Sequence, residues 1–115
     1  MTEAAAKRAR NGILVALDAQ KTNQHGGWVT GRFLADIVGQ PLTQAQAPLS
    51  DDNVLGLCRD LVAAGYLVEE DNREDRSQPF GLDYLTFKAT DKGLGFVRRS
   101  EPADADIDDG RIVRR

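Results

Sequence analysis

Seven polar side chains of the types that contact nucleic acid occur in three places along the chain. Arginine can read guanine through two hydrogen bonds, and asparagine can read adenine in the same way. Lysine and arginine also neutralise backbone phosphates. The seven residues are Asn53 and Arg59 on a predicted helix, Arg73 and Arg76 in a predicted turn, and Lys7, Arg8 and Arg10 near the start. They predict a DNA-binding surface.

Acidic residues accompany these cations. Asp52 and Asp60 flank Arg59, and two further acids separate the arginines of the turn. Each acid near a phosphate offsets part of a basic contact, so local ion pairing on a solvated hairpin is the alternative to DNA contact. Asp60 lies late in its helix, where the helix dipole disfavours a negative charge. A carboxylate at this position indicates an arginine partner on a binding protein, or no selective pressure on the residue. Asp60→Asn is therefore expected to leave stability equal or slightly raised.

A protein partner is the second hypothesis for the same helix. Its outward side is predicted to carry the small residues Gly56 and Ala63 beside Asp52 and Arg59. Small residues allow another element to approach closely, and mixed charges suit the polar rim of an interface. An ordinary solvated helix surface would have the same composition.

Catalytic patterns are weak. The single histidine, His25, lies in a polar loop without a second histidine or a nearby cysteine to share a metal. Asp51 and Asp52 are placed to stabilise a helix N-terminus, and Cys58 lies on an apolar helix face, which is typical of packing. The sequence therefore predicts a protein that is not an enzyme, with no cofactor and no metal.

Length and charge limit the class of protein. The 115 residues carry a net charge of −3, which argues against a large indiscriminate phosphate-binding surface. Residues 1–50 carry +2, residues 51–100 carry −3 and residues 101–115 carry −2. We expect one domain over residues 1–100 and an acidic, flexible tail over residues 101–115. One cysteine, no long apolar run and a charged N-terminus predict a cytoplasmic protein with no membrane partner.

The central helix is predicted from Ser50 to Ala64. Ser50 is a suitable N-cap, and Gly65 can adopt the left-handed conformation that ends a helix. Tyr66 beyond it can close onto the last turn. The residues predicted to face the core are Val54, Leu57, Cys58 and Leu61, with Leu55 and Val62 at the edge.

Two other helices precede it. The first covers residues 3–20 and buries alanine and aliphatic side chains. The second runs from Thr30, its N-cap, to Val38. Its predicted inward face consists of Phe33, Leu34, Ile37 and Val38. Trp28, just before it, is expected at the core or its edge, with a binding aromatic as the alternative. Residues 39–49 form a connection longer than a tight helix-turn-helix uses.

A β-hairpin and a short helix follow the central helix. The first strand is predicted from Tyr66 to Val68, the tip over residues 72–81, and the second strand over residues 83–89 with alternating faces. Thr90 and Asp91 can cap a last helix that carries Leu94, Phe96 and Val97. Ile112 and Val113 could dock on a neighbour or belong to a frayed terminus. The predicted fold is α+β, mainly α: a winged helix with a three-helix core, a two-stranded wing and a short C-terminal helix.

Two segments carry a family resemblance. Leu61-Val-Ala-Ala-Gly-Tyr-Leu-Val and Leu85-Thr-Phe-Lys-Ala-Thr-Asp-Lys-Gly are similar to segments of bacterial winged-helix transcription regulators. The whole chain resembles a family of small winged-helix proteins from Mu-like transposable phages. The similar features are the basic first helix, Gly-Trp-Val before helix two, Ser-Asp-Asp-Asn-Val at helix three, the wing, and the terminal Gly-Arg-Ile-Val-Arg-Arg.

The resemblance implies a non-enzymatic phage protein of regulator-like type. The two roles that follow are a DNA-binding regulator-like module and a protein-interaction or assembly module that uses the acidic face of helix three. The possible partners are double-stranded DNA, a phage or host protein, or a second copy of the chain. The long 39–49 connection and the acidic third helix depart from the pattern of the regulators.

Overall fold

The computed structural model describes residues 1–38, 49–75, 77–78 and 81–111. In chain order the elements are α1 (Glu3–Ala19), β1 (Val29–Thr30), α2 (Gly31–Val38), α3 (Asp51–Ala63), β2 (Leu67–Asp71), β3 (Leu85–Ala89) and α4 (Asp91–Val97). The fold is thus α+β and mainly helical. None of the helices in the described ranges is both long and apolar enough to cross a membrane.

The strands form one antiparallel sheet in the order β1-β3-β2. Leu67 pairs with Ala89 at one end of the hairpin, and Asp71 pairs with Leu85 at the other. The sequence prediction contained this hairpin but not β1, which pairs Val29 with Phe87 and Thr30 with Thr86. Two residues give no periodicity, and β1 is a strand only because β3 lies beside it.

The sheet has one buried and one open face. Leu85, Phe87 and Ala89 of β3 are buried. Of the alternate residues, Thr86 is half-buried and Lys88 is exposed, because successive side chains of a strand point to opposite faces. The buried face packs against the helices, and the open face has no covering layer in the described part of the chain. We call this second face the outer sheet face.

Helix α1 supplies much of the core. Ala6, Ala9, Ile13, Leu14 and Leu17 are buried, as the sequence predicted. Thr2 caps the helix, because its hydroxyl accepts the N–H of Ala5 at 3.1 Å. The last helix is also confirmed: the Thr90 hydroxyl accepts the N–H of Gly93 at 3.1 Å.

The predicted inward face of α2 is partly wrong. Leu34 is fully buried, but Phe33 and Ile37 are 38% and 40% exposed. The helix approaches the hairpin through Gly31, where an added Cβ would lie 2.7 Å from a methyl carbon of Leu82. At 100° per residue this contact turns positions 31, 34, 35 and 38 inward and leaves 33 and 37 on the solvent side.

The C-terminal segment differs from the predicted solvated tail. Ile107 is 4% exposed, and the N–H of Asp108 donates to the Lys7 carbonyl at 3.1 Å. Arg111 lies over the Phe96 ring, 4.9 Å from its centroid. Acidic composition favours solvation, but one apolar anchor and several hydrogen bonds hold residues 101–111 against the domain. The predictions for Ile112 and Val113, and for the connection over residues 39–48, lie outside the described residues.

Candidate interaction surface

Helix α3 and the β2–β3 hairpin hold most of the predicted site residues, and local signals fix the helix at both ends. The Ser50 hydroxyl accepts the N–H of Asn53 at 3.2 Å. At the other end Gly65 has φ +87°, and the N–H of Tyr66 donates to the Leu61 carbonyl at 2.9 Å. This is the Schellman ending that the sequence predicted.

The two sides of α3 are also as predicted. Its apolar face is buried, with Val54 and Cys58 fully so and Leu57 and Leu61 nearly so. Burial, with Glu69 as a secondary cause, raises the pKa of the Cys58 thiol to about 12. The thiol therefore stays protonated at neutral pH and acts as packing. The residues on the exposed side are Asp52, Gly56, Arg59, Asp60 and Ala63.

Arg32, which the sequence analysis did not single out, joins three elements around the start of α3. Its Nη1 and Nη2 donate to the two carboxylate oxygens of Asp51 at 2.9 and 2.6 Å. Its Nε donates to Asp83 at 3.0 Å. This arrangement raises the pKa of Arg32 and lowers that of Asp51, mainly through the hydrogen bonds between them. Arg32 thereby fixes the segment just before β3, at the loop end of the hairpin, relative to α2 and α3.

Arg10 connects α1 to α3 and to the C-terminal segment. Its Nη2 donates to Asp60 Oδ2 at 2.9 Å, and its Nη1 donates to the Asp106 carbonyl at 2.9 Å. Only 18% of its side chain is exposed. The arginine partner expected for Asp60 therefore belongs to the same chain, and Arg10 does not present its guanidinium to DNA in this arrangement.

The hairpin arginine is similarly engaged. Arg73 pairs with Asp71 at 2.8 Å, and 13% of its side chain is exposed. Its Nη1 also donates to the Gln78 carbonyl at 3.3 Å. The pairing with Asp71 raises the pKa of Arg73. Arg73 therefore has a local partner within the hairpin, Asp71, and Arg76 lies outside the described residues.

The remaining predicted residues lie on two helices, α1 and α3. Arg59 pairs with Glu69 of β2 at 3.4 Å, and half of its side chain stays exposed. Lys7 pairs with Glu3 at 3.4 Å on α1, and Arg8 is exposed on the same helix. Asn53 is half-buried in the first turn of α3. Of the six predicted residues that the structure describes, four are paired with carboxylates of the same chain, so these six do not form one uniformly basic face.

Negative charge dominates the region that includes α3 and the hairpin. Residues 51–83 contain nine acidic and three basic residues, a net charge of −6. Most of these carboxylates are exposed. Among the described residues, Asp52, Glu70, Glu74 and Asp75 form no ion pair, whereas Arg59 and Arg73 each have a carboxylate partner. We call this region the acidic α3–hairpin surface.

Tyr66 links the end of α3 to the C-terminal segment. Its hydroxyl donates to Asp104 at 2.8 Å, and its ring meets Phe96 edge to face at 5.4 Å. Burial, followed by the bond to Asp104, raises the pKa of Tyr66. No local pattern could have indicated this contact, because Asp104 follows Tyr66 by 38 residues.

The described residues include no group of His, Cys, Asp and Glu that could hold a metal ion. His25 lies exposed in the turn after α1, where its N–H donates to the Asn23 side chain at 2.9 Å. The loop position predicted for His25 is confirmed.

Compared with family models, curated proteins and solved structures, the chain matches none of them.

Proposed function

We propose that this chain is a non-enzymatic winged-helix protein of Mu-like phage type that binds a basic protein partner through the acidic α3–hairpin surface. Three packed helices followed by a β-hairpin support the winged-helix assignment. The phage family rests on the sequence resemblance, which covers nearly the full length.

The observation that carries the binding role is the net charge of −6 over residues 51–83. In a DNA-reading winged helix the third helix enters the major groove, between two rows of phosphates. Asp52, which is exposed on α3 and forms no ion pair among the described residues, would there face negative charge. A basic protein segment is the complementary partner for the same surface, and charge complementarity speeds association and selects between partners.

The test is a titration with a 20-residue peptide of alternating lysine and glycine, followed by fluorescence anisotropy of a dye on the peptide. We expect saturable binding that weakens with salt, because surface charges are screened. Asp52→Asn should weaken it, and Asp36→Asn, which removes an exposed carboxylate from α2, should leave it unchanged. Equal effects of the two substitutions would contradict docking on the α3–hairpin surface.

DNA binding is the second candidate function, and the helical order favours it, since α3 precedes a hairpin as a recognition helix precedes a wing. Arg59 would be the central contact, because half of its side chain is exposed on the outward side of α3. In that case Arg59→Gln should weaken DNA binding and reduce its salt dependence by about one phosphate contact.

A further inference from the structure

The outer sheet face contains an open cleft of about 480 Å³ beside β1. Its lining includes Trp28, Phe33, His25, Thr86, Asn72 and Glu70. We call it the Trp28 cleft. It lies between the turn that follows α1, the first turn of α2 and the middle of the sheet.

The loop before β1 is fixed by one asparagine. The Asn23 side-chain oxygen accepts the N–H groups of His25 and Gly27, each at 2.9 Å. Its amide nitrogen donates to the Trp28 carbonyl at 3.1 Å. Gly26 and Gly27 have φ values of +67° and +90°, which L side chains rarely adopt. Trp28 and His25 are thus held at the cleft by an ordered turn, so the site needs little reorganisation to bind.

The aromatic residues of the cleft are more exposed than core residues. Phe33 is 38% exposed although it belongs to a helix that buries Leu34 completely, and Trp28 is half-buried. Ile37, one turn after Phe33, is 40% exposed and extends the apolar surface. Exposed aromatic groups around a concave surface are typical of binding sites.

Glu70 is the one acidic residue in the cleft lining, and no lysine or arginine lines the cleft within the described ranges. In the sheet, Glu70 of β2 pairs with Thr86 of β3, and Thr86 also pairs with Thr30 of β1. Its side chain is exposed and forms no ion pair among the described residues. A neutral apolar ligand would take this carboxylate out of water without compensation, which is costly. A cation would compensate it.

We propose that the Trp28 cleft binds an arginine side chain of a basic protein segment. A guanidinium stacks on aromatic faces and pairs with a carboxylate through two parallel hydrogen bonds, and the cleft offers both kinds of group. The acidic α3–hairpin surface, to which Glu70 also belongs, has a net charge of −6 and complements further basic residues of the same segment. This inference rests on the proposed function and names the residue that the partner inserts.

Trp28 gives a direct measurement, because it is the only tryptophan of the chain. The full chain is titrated with acetyl-Gly-Gly-Arg-Gly-Gly-amide while tryptophan fluorescence is recorded. The control peptide has citrulline in place of arginine, which keeps the shape and removes the charge. We expect a saturable change with the arginine peptide and at least about tenfold weaker binding of the citrulline peptide.

Two matched variants locate the site. Glu70→Gln should weaken the arginine peptide by about fivefold or more. Glu3→Gln makes the same change on an exposed residue of α1, outside both the cleft lining and the acidic α3–hairpin surface, and should leave the affinity as it is. Phe33→Ala should also weaken binding, with an unchanged circular dichroism spectrum because Phe33 is not part of the core.

Three results would overturn the cleft proposal. They are the absence of a saturable fluorescence change, equal responses to the arginine and citrulline peptides, and equal losses in Glu70→Gln and Glu3→Gln. If the lysine–glycine peptide still binds in an Asp52-dependent manner, the proposed function stands and only the cleft is rejected. If the chain binds DNA and neither peptide, the proposed function itself is rejected.

Discussion

Arg10 in α1 and Asp60 in α3 form an ion pair at 2.9 Å, and the same guanidinium holds the carbonyl of Asp106. The pair joins two core helices and the C-terminal segment. A carboxylate late in a helix opposes the helix dipole, so the position of Asp60 in α3 alone suggests a destabilising charge. The ion pair with Arg10 gives this carboxylate a stabilising role instead. The expectation that Asp60→Asn leaves stability equal or raised is revised accordingly.

We predict that Asp60→Asn lowers the free energy of unfolding by about 0.5–1 kcal/mol. The figure is modest because 59% of the Asp60 side chain is exposed and the pair is screened. A double-mutant cycle with Arg10→Met, measured by urea denaturation, isolates the pair from the dipole effect. A coupling energy of zero would show that the pair contributes nothing to stability.

The core role of α3 gives the largest expected effect. Leu61 is 1% exposed, so Leu61→Ala should lower the free energy of unfolding by about 2–5 kcal/mol through lost burial and the cavity left behind. Val15→Ala, on a residue that is 47% exposed, should change it by less than about 0.5 kcal/mol. Similar melting temperatures for the two variants would remove α3 from the core.

The Arg32–Asp51 pair predicts a pH dependence. Hydrogen bonds from Arg32 lower the pKa of Asp51 in the folded state. A group with a depressed folded pKa adds stability above its unfolded pKa of about 3.9, and this is lost as pH falls through the folded value. Asp51→Asn should therefore melt below wild type at pH 7, and the difference should shrink as the pH falls below the unfolded pKa of about 3.9.

Asp52→Asn is the matched control for this prediction. It removes a neighbouring charge from the same helical turn and keeps the Arg32 pair intact. Its melting temperature at pH 7 should lie between those of Asp51→Asn and wild type. If Asp52→Asn destabilises as much as Asp51→Asn, the effect belongs to the helix dipole and not to Arg32.

Part of the fold could be predicted because its signals are local. Ser50 and Gly65 lie within or next to the helix they delimit, and the alternation of Leu85, Phe87 and Ala89 is visible in five residues. Helix α2 shows the limit of this approach. Its apolar residues indicated an inward face, but the close approach of Gly31 to Leu82 rotates Phe33 and Ile37 outward.

The parts that were missed depend on residues distant in sequence. Arg10 and Asp60 are separated by 50 residues and Tyr66 and Asp104 by 38. Strand β1 requires β3, which lies more than fifty residues later. Local pairing was an open alternative for the hairpin, where Arg73 contacts Asp71, but no sequence pattern indicated that Arg10 is engaged within the chain.

The docked C-terminal segment yields a further prediction. Ile107 is 4% exposed, and Ile107→Ala should lower the free energy of unfolding by about 2 kcal/mol or more. It should also speed hydrogen exchange at the Asp108 amide, which bonds to the Lys7 carbonyl. Asp106→Asn keeps the carbonyl that Arg10 uses and should change neither quantity strongly. Unaltered exchange in Ile107→Ala would mean that residues 101–111 are not anchored by this side chain.

The choice between a protein partner and DNA is tested most directly by anisotropy of a labelled 25-base-pair duplex titrated with the full chain. At about 50 mM salt, where phosphate contacts are strongest, we predict no saturable binding up to about 100 µM protein, a range that covers typical non-specific affinities. The net charge of −6 over residues 51–83 is the reason. Salt-dependent binding that Arg59→Gln weakens and Asp52→Asn tightens would contradict this account and assign α3 to DNA.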